Sequence, residues 1–269
     1  MLSYSIVLLG ATLSVSTLID LKVSGILFII LQMTITIIAA LYIGKKLGFE
    51  ENFRFLMASG NAVCGSSAIG ATVPVVNATD KEKGIAVTIV NVTGIFLMFL
   101  LPIISQFLYS HELVKTSAMI GGTLQSIGQV VASGAIVGEN VKDLATIFKI
   151  VRVIFLVVVV LVFGHMKNQS NREILRRRKD EIKEKSDYTM VCNWILYNLC
   201  TFSMNIIPQE VSVLCKEISN KLEIIALAAI GLKVNVKDLV KQGKEVSLYG
   251  LFVGTVQVVS AVVLIKIFI

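Results

Sequence analysis

Two stretches of this sequence concentrate residue types that can hold a solute. The first reads Ala58-Ser59-Gly60-Asn61-Ala62-Val63-Cys64-Gly65-Ser66-Ser67-Ala68-Ile69-Gly70-Ala71-Thr72-Val73-Pro74. Hydroxyls, an amide, glycines and a proline inside one apolar segment are tolerated at membrane depth only when packed within protein or lining a watery cavity. There a helix break at Gly60, Gly65, Gly70 or Pro74 frees backbone N–H groups for a ligand. Asn61, Ser66 and Ser67 are the candidate solute contacts. Close packing of small residues, Gly65 with Ala68 or Gly60 with Cys64, is the competing reading.

The second stretch, Gly121-Gly122-Thr123-Leu124-Gln125-Ser126-Ile127-Gly128-Gln129, repeats the pattern, with Gly122 and Gly128 as candidate break positions. Gln125 and Gln129 lie one turn apart on one helix face, and an unpaired amide in hydrocarbon is costly. With Thr123 they must meet other helices, water or solute. Further on, Lys149 and Arg152 stand at i and i+3 ahead of the apolar run Val153 to Phe163. Intramembrane cations face the protein interior or a cavity, where they balance a negative solute, or they snorkel to the headgroups.

No Asp or Glu interrupts the middle of these segments; Glu210, Glu217 and Glu223 cluster early in a later one. A carboxylate-based cation exchange site is therefore disfavoured. His111 and His165 both lie outside the apolar runs, which leaves no metal cluster and no histidine-based catalytic pair. Ser66 or Ser67 could serve an intramembrane enzyme as nucleophile but would lack a base. The expectation is a non-enzyme without cofactor or metal.

These residues need a scaffold, and composition says which kind. The 269 residues are 55% hydrophobic and 16% charged, with a mean hydropathy of +0.81. That composition suits a bilayer, not water. The formal charge of +7 is spread between apolar runs instead of forming one patch, so anionic lipid, not nucleic acid, is the expected partner. Cys64, Cys192, Cys200 and Cys215 have no paired spacing and read as small buried residues.

Apolar windows predict an all-α, polytopic membrane protein of about nine segments: 1–15, 23–44, 55–78, 84–109, 116–137, 143–164, 188–207, 210–232 and 246–268. The chain then forms a single transmembrane domain, 1–269, with six segments in 1–164, a basic loop at 165–187 and three segments in 188–269. That loop carries Arg172, Arg176, Arg177, Arg178, Lys179, Lys183 and Lys185, so it should be cytoplasmic and touch anionic headgroups. If every segment crosses, Lys45, Lys46, Arg54 and Lys115 share its side, while Lys22, Lys81, Lys83 and Lys142 lie opposite. The first window is short for a ~30 Å core and reads as a span cut short.

An internal echo links Gly10-Ala11-Thr12-Leu13-Ser14-Val15-Ser16-Thr17-Leu18-Ile19 with Gly231-Leu232-Lys233-Val234-Asn235-Val236-Lys237-Asp238-Leu239-Val240. Seven spans apart, the copies would point oppositely, and only the cytoplasmic one carries lysines. An inverted repeat follows, against the alternative of chance likeness between two apolar helix ends.

The chain resembles the YeiH family, bacterial membrane proteins named as sulfate exporters. The resemblance rests on Ile6-Val7-Leu8-Leu9-Gly10, Cys64-Gly65-Ser66-Ser67-Ala68-Ile69 with Thr72 and Pro74, Gly122-Thr123 through Gln129-Val130-Val131-Ala132, Ala145-Thr146 with Lys149 and Arg152, and Ala229-Ile230-Gly231-Leu232. It implies a multi-pass protein of the bacterial inner membrane, related to inverted-repeat transporters with crossed broken helices, and a fuller design near eleven spans. Many members carry a His-Asp pair where this chain has Gln125 and Ser126; if that pair handles protons, the departure argues against proton coupling here. The expected function is a secondary transporter exporting a small anion such as sulfate by alternating access, with homo-oligomerisation left open; a non-transporting membrane scaffold is the other class.

Overall fold

Glycine and capping residues cut this chain into helices at the places where the membrane segments change direction. A computed structural model describes residues 22–175 and 244–269. Its helices are α1 Lys22–Lys46, α2 Glu51–Ala62, α3 Ser66–Val76, α4 Asp80–Tyr109, α5 Leu113–Thr123, α6 Ile127–Val137, α7 Glu139–Ile154, α8 Leu156–Leu175 and α9 Lys244–Phe268. No strand occurs among the described residues. The predicted segments 1–15, 188–207 and 210–232, and both halves of the ten-residue echo, lie outside them.

Among the described residues, four helical stretches are long and apolar enough to cross a bilayer: Val23–Lys46, Asp80–Tyr109, Glu139–Lys167 and Glu245–Phe268. The third joins α7 to α8 across a single non-helical residue, Phe155. α8 then continues to Leu175, so the basic loop begins as an extension of a membrane helix. The apolar faces these spans leave exposed, such as Phe96, Phe99, Ile103 and Phe107 of α4, face lipid.

The two glycine-rich segments do break, as the sequence predicts, but neither crosses. The Asn52 side chain at the start of α2 donates to the Asn77 carbonyl at the end of α3, 3.4 Å away. Gly60 lies so close to Ile69 that a Cβ there would meet its side chain at 2.8 Å. Pairs 52/77 and 60/69 keep a constant sum, the signature of two antiparallel legs. At about 18 Å, the twelve residues of α2 reach only halfway through a ~30 Å core. Residues 51–77 are thus a re-entrant hairpin.

Residues 113–137 form a second hairpin. α5 runs parallel to α7: Ser117 donates to the Val141 carbonyl at 3.3 Å, and Gly121 packs so close to the Ala145 carbonyl oxygen that a Cβ there would clash with it. α6 runs antiparallel to the same helix, with Gly134 against Lys142 and Ile127 against Ile150. Both mouths of the hairpin therefore sit beside the start of α7, where His111, Leu113 and Val137 to Val141 line a cavity of about 340 Å³.

These returns correct the assignment of loops to faces. The first hairpin opens on the face where Lys167 pairs with Glu51 at 3.0 Å, beside Lys45, Lys46 and Arg54. Its return also brings Lys81 and Lys83, at the start of α4, to this basic face; the second hairpin keeps Lys115 with Lys142 on the far face. Alternation had these three lysines reversed, because it counts apolar length and so treats a folded-back pair of half-length legs as one crossing. Two returns cancel, so α8 ends on the face that simple alternation gives it. The corrected partition is the more asymmetric one.

α9 completes the described bundle by packing antiparallel to α1. Tyr249 donates to the Ala40 carbonyl at 2.7 Å and stacks on Phe49 with centroids 5.1 Å apart, and Gln32 donates to the Gln257 carbonyl at 2.9 Å.

Candidate functional site: two opposed hairpin tips

An α-helix ends with carbonyls that have no partner inside it and a partial negative charge. Both hairpins bring such ends to mid-membrane, where no water can satisfy them. α2 ends at Ala62, and Gly65 then turns the chain into α3 with φ 66° and ψ −125°, a conformation that residues with a Cβ rarely adopt. α5 stops at Thr123, where Leu124 turns extended, with φ −59° and ψ 148°. The two tips touch directly, since a Cβ built on Gly65 would sit 3.4 Å from Gln125 Cβ.

The orphan carbonyls are met by three side chains from two other helices. Arg152 Nε donates to Ala62 at 2.6 Å, Nη1 to Gly122 at 2.9 Å and Leu124 at 3.0 Å, and Nη2 to Asn61. The planar guanidinium fork suits this divergent set. Lys149 Nζ donates to Val63 at 2.6 Å and Leu124 at 2.8 Å. Gln257 Nε2, from α9, donates to Asn61 at 2.8 Å and Thr123 at 3.3 Å. Lys149 and Arg152 are 0% and 1% exposed, so they face the interior and do not snorkel. Arg152 lies about 20 Å along the helix that starts at Glu139, near mid-bilayer.

Electrostatically, the four helix ends at the tips nearly cancel, each C-terminus at about −0.5 charge against an N-terminus at about +0.5. Lys149 and Arg152 bring buried basic side chains to the tips, and no Asp or Glu is buried among the described residues.

The second legs begin differently. Ser126 caps α6: its hydroxyl accepts from Gln129 N at 3.2 Å, and Gln129 Oε1 accepts from Ser126 N at 3.1 Å. α3 has no side-chain cap at its first residue, Ser66. Its first backbone bond back to the tip comes from Ile69 N to Gly65 O. Beside it the Cys64 thiol is buried. Ser66 is buried, at 6% exposure, and Ser67 half-buried.

The sequence candidates thus separate by what they already hold. Asn61 donates to Met57 and accepts from Gln125 Nε2, at 2.9 and 3.4 Å, and Thr123 donates to the Met119 carbonyl. Gln129 caps α6 and reaches Asn91 O at 3.4 Å. Ser66, Ser67 and Gln125 keep capacity for a solute. Among the candidate break positions, Gly65 forms the break itself. Gly60, Gly70, Pro74, Gly122 and Gly128 lie within helices, Gly60 and Gly122 giving room to Ile69 and Phe28.

Sequence reading passed over Gln32, Gln257 and Ser260. Gln257 Oε1 accepts from Gln125 at 3.3 Å, and Ser260 donates to Gln32 Oε1 at 3.0 Å, forming a buried amide chain along α1 and α9. The signal was present: a lone amide inside an apolar span must find a partner. Gly94 of α4 was passed over as well; a Cβ there would lie 2.5 Å from Gln129 Nε2 and 2.7 Å from Gln125 Oε1.

Membrane-spanning helices around two re-entrant hairpins, entering from opposite faces and meeting at mid-depth, define a multi-pass membrane protein with an inverted arrangement at its centre. The family described as conserved hypothetical protein 698 matches residues 1–250. The chain is 48% identical over 271 residues to a UPF0324 membrane protein of Clostridium perfringens, covering 100% of this chain and 79% of that one. It is 44% identical to the UPF0324 membrane protein YdhF of Lactococcus lactis, covering 100% and 81%. Against the inner membrane protein YeiH of Escherichia coli it is 29% identical, covering 91% and 69%. This chain belongs to that family, the UPF0324 membrane proteins. No solved structure matches it.

Proposed function

We propose that the protein is a secondary transporter of a small anion, working by alternating access in the bacterial plasma membrane. One observation carries the reading: Lys149 and Arg152 are buried where the hairpin tips meet, at the turn from which the uncapped helix α3 starts with Ser66 and Ser67. Buried basic side chains beside an open helix N-terminus favour a negatively charged solute. The solute would lie against the uncapped start of α3, on the Ser66 and Ser67 hydroxyls and N–H groups, with Gln125 alongside. Lys149 and Arg152 would act through their field, their donors being committed to carbonyls. Opposed hairpins supply a gate for each face, which is what alternating access requires.

Sulfate as the solute rests on the family resemblance. An intramembrane enzyme acting through Ser66 or Ser67 would need a base, and no imidazole or carboxylate is buried among the described residues. Contact of the 165–187 loop with anionic lipid, and assembly with further copies, belong to the same proposal.

The test is flux of labelled sulfate and other small anions in proteoliposomes. Wild-type protein should move an anion. Replacing both hydroxyls, Ser66→Ala with Ser67→Ala, should lower that flux about tenfold or more, as expected for lost hydrogen bonds to a charged solute. Unchanged flux in the double variant would remove the site assignment, and wild-type protein that moves none of the anions would remove the function.

A further inference from the structure

Gln125 is the residue at which the tip network fails to close, and that failure is informative. Its Nε2 donates to Asn61 Oδ1 at 3.4 Å and to Gln257 Oε1 at 3.3 Å. Its Oε1 is buried and has no partner, while the whole residue is 0% exposed. Turning the amide over would not help. Asn61 Nδ2 is committed to the Met57 carbonyl, and Gln257 Nε2 to the Asn61 and Thr123 carbonyls, so both neighbours present oxygens to Gln125. The network forces NH₂ toward those oxygens and leaves Oε1 toward Gly94, the residue on α4 whose missing side chain makes room for it.

Everything else at the tips donates or is already matched: two cations, an amide capping carbonyls, and the open N–H groups of α3. Gln125 Oε1 is an isolated acceptor within a donor-rich locality, and an unmet buried acceptor raises the energy of the state that contains it. A solute that brings a hydrogen to it removes that cost; one without a hydrogen leaves it in place. We infer that the solute is an anion carrying its own O–H or N–H, with that group donated to Gln125 Oε1 while its charge faces the start of α3. The inference rests on the anion-transport reading and sharpens it: a fully deprotonated oxyanion such as sulfate would be the poorer solute.

Matched oxyanions test this. The affinity of the purified full chain for dihydrogen phosphate and hydrogen sulfite is compared with that for nitrate and perchlorate, at mildly acidic pH where the first two keep their protons. Thermal stabilisation is the readout. Wild-type protein should prefer the donor-bearing pair by about tenfold or more, because a site built to receive a hydrogen discriminates against analogues that lack one. In Gln125→Met, which keeps the length but removes the acceptor, the ratio should fall to near parity, with the wild-type elution profile on size exclusion showing that the variant folds. Parity in the wild type, or a preference surviving in Gln125→Met, overturns the inference and leaves the anion reading standing. Wild-type protein that binds no anion of either kind removes both. If Gln125→Met does not fold, the wild-type comparison decides alone.

Discussion

The two hairpins are built on one plan and finished differently at their tips. In both, a first leg ends at mid-membrane with carbonyls clasped by Arg152, Lys149 and Gln257. In the second hairpin the next leg closes itself, with Ser126 and Gln129 satisfying the first N–H groups of α6. In the first hairpin Gly65 turns the chain with positive φ and leaves α3 uncapped, with two serines at its start. A helix start that carries its own cap has no need of a ligand, whereas an uncapped one at membrane depth has no water to stand in. On the anion-transport reading, one tip holds and the other receives.

The largest effect should come from what both tips share. Arg152→Met leaves the Ala62 and Gly122 carbonyls without a side-chain donor, takes one of two from Asn61 and Leu124, and should cost roughly 3–5 kcal/mol, enough to abolish folding or lower the melting temperature of the detergent-solubilised protein sharply. Arg152→Lys, which keeps the charge but loses the fork, should fall between. A melting curve unchanged by Arg152→Met would mean that the cation does not hold the hairpins together.

Next comes a pair that separates the tips. Gly65→Ala places a Cβ on a residue at φ 66°, costing about 1–3 kcal/mol through the backbone, since its nearest neighbour at 3.4 Å leaves ordinary room. Gly128→Ala falls inside the first turn of α6, where alanine is the better helix former, and should be neutral or stabilising by up to about 1 kcal/mol. Equal costs in thermal unfolding would refute the claim that only the first break depends on glycine's conformational freedom.

Much of this was visible in the sequence. Glycines and hydroxyls among apolar residues marked both broken segments, while Lys149 with Arg152 in an apolar run left an interior partner and snorkelling to the headgroups both open, and the structure places them inside. The direction of the broken legs was not visible, because hydropathy measures apolar length and 22 residues can be one crossing or two half-depth legs. Asn52 and Asn77, whose contact closes the first hairpin, are ordinary polar flanks until they are seen together. Gln257 was hidden differently: its role is to meet carbonyls on two distant segments, and backbone groups leave no trace in side-chain pattern. Ser126-Ile127-Gly128-Gln129, by contrast, is a legible capping box, and reading it as one points Gln129 to the backbone, where the structure places it.

A smaller effect tests the self-sufficient tip. Ser126→Ala removes the α6 cap and should cost about 1 kcal/mol of stability while anion flux persists. The Ser66→Ala, Ser67→Ala variant should do the reverse, losing flux with little change in melting. Both measured on the same preparations give a crossed pattern, and parallel losses in both would erase the division between a holding tip and a receiving one.

The smallest effect belongs to the hairpin mouths. The first mouth is tied by Lys167 to Glu51 and by Asn52 to Asn77, whereas the second opens on the cavity beside His111 and Glu139. The Lys167–Glu51 pair is 15% and 38% exposed at its side chains, so water and salt screen it. Glu51→Gln should therefore cost less than about 1 kcal/mol at low ionic strength and almost nothing at high salt. A larger, salt-independent loss on thermal unfolding would show that the first hairpin is held at its mouth, so that the tip contacts with Arg152 are not what fixes its position.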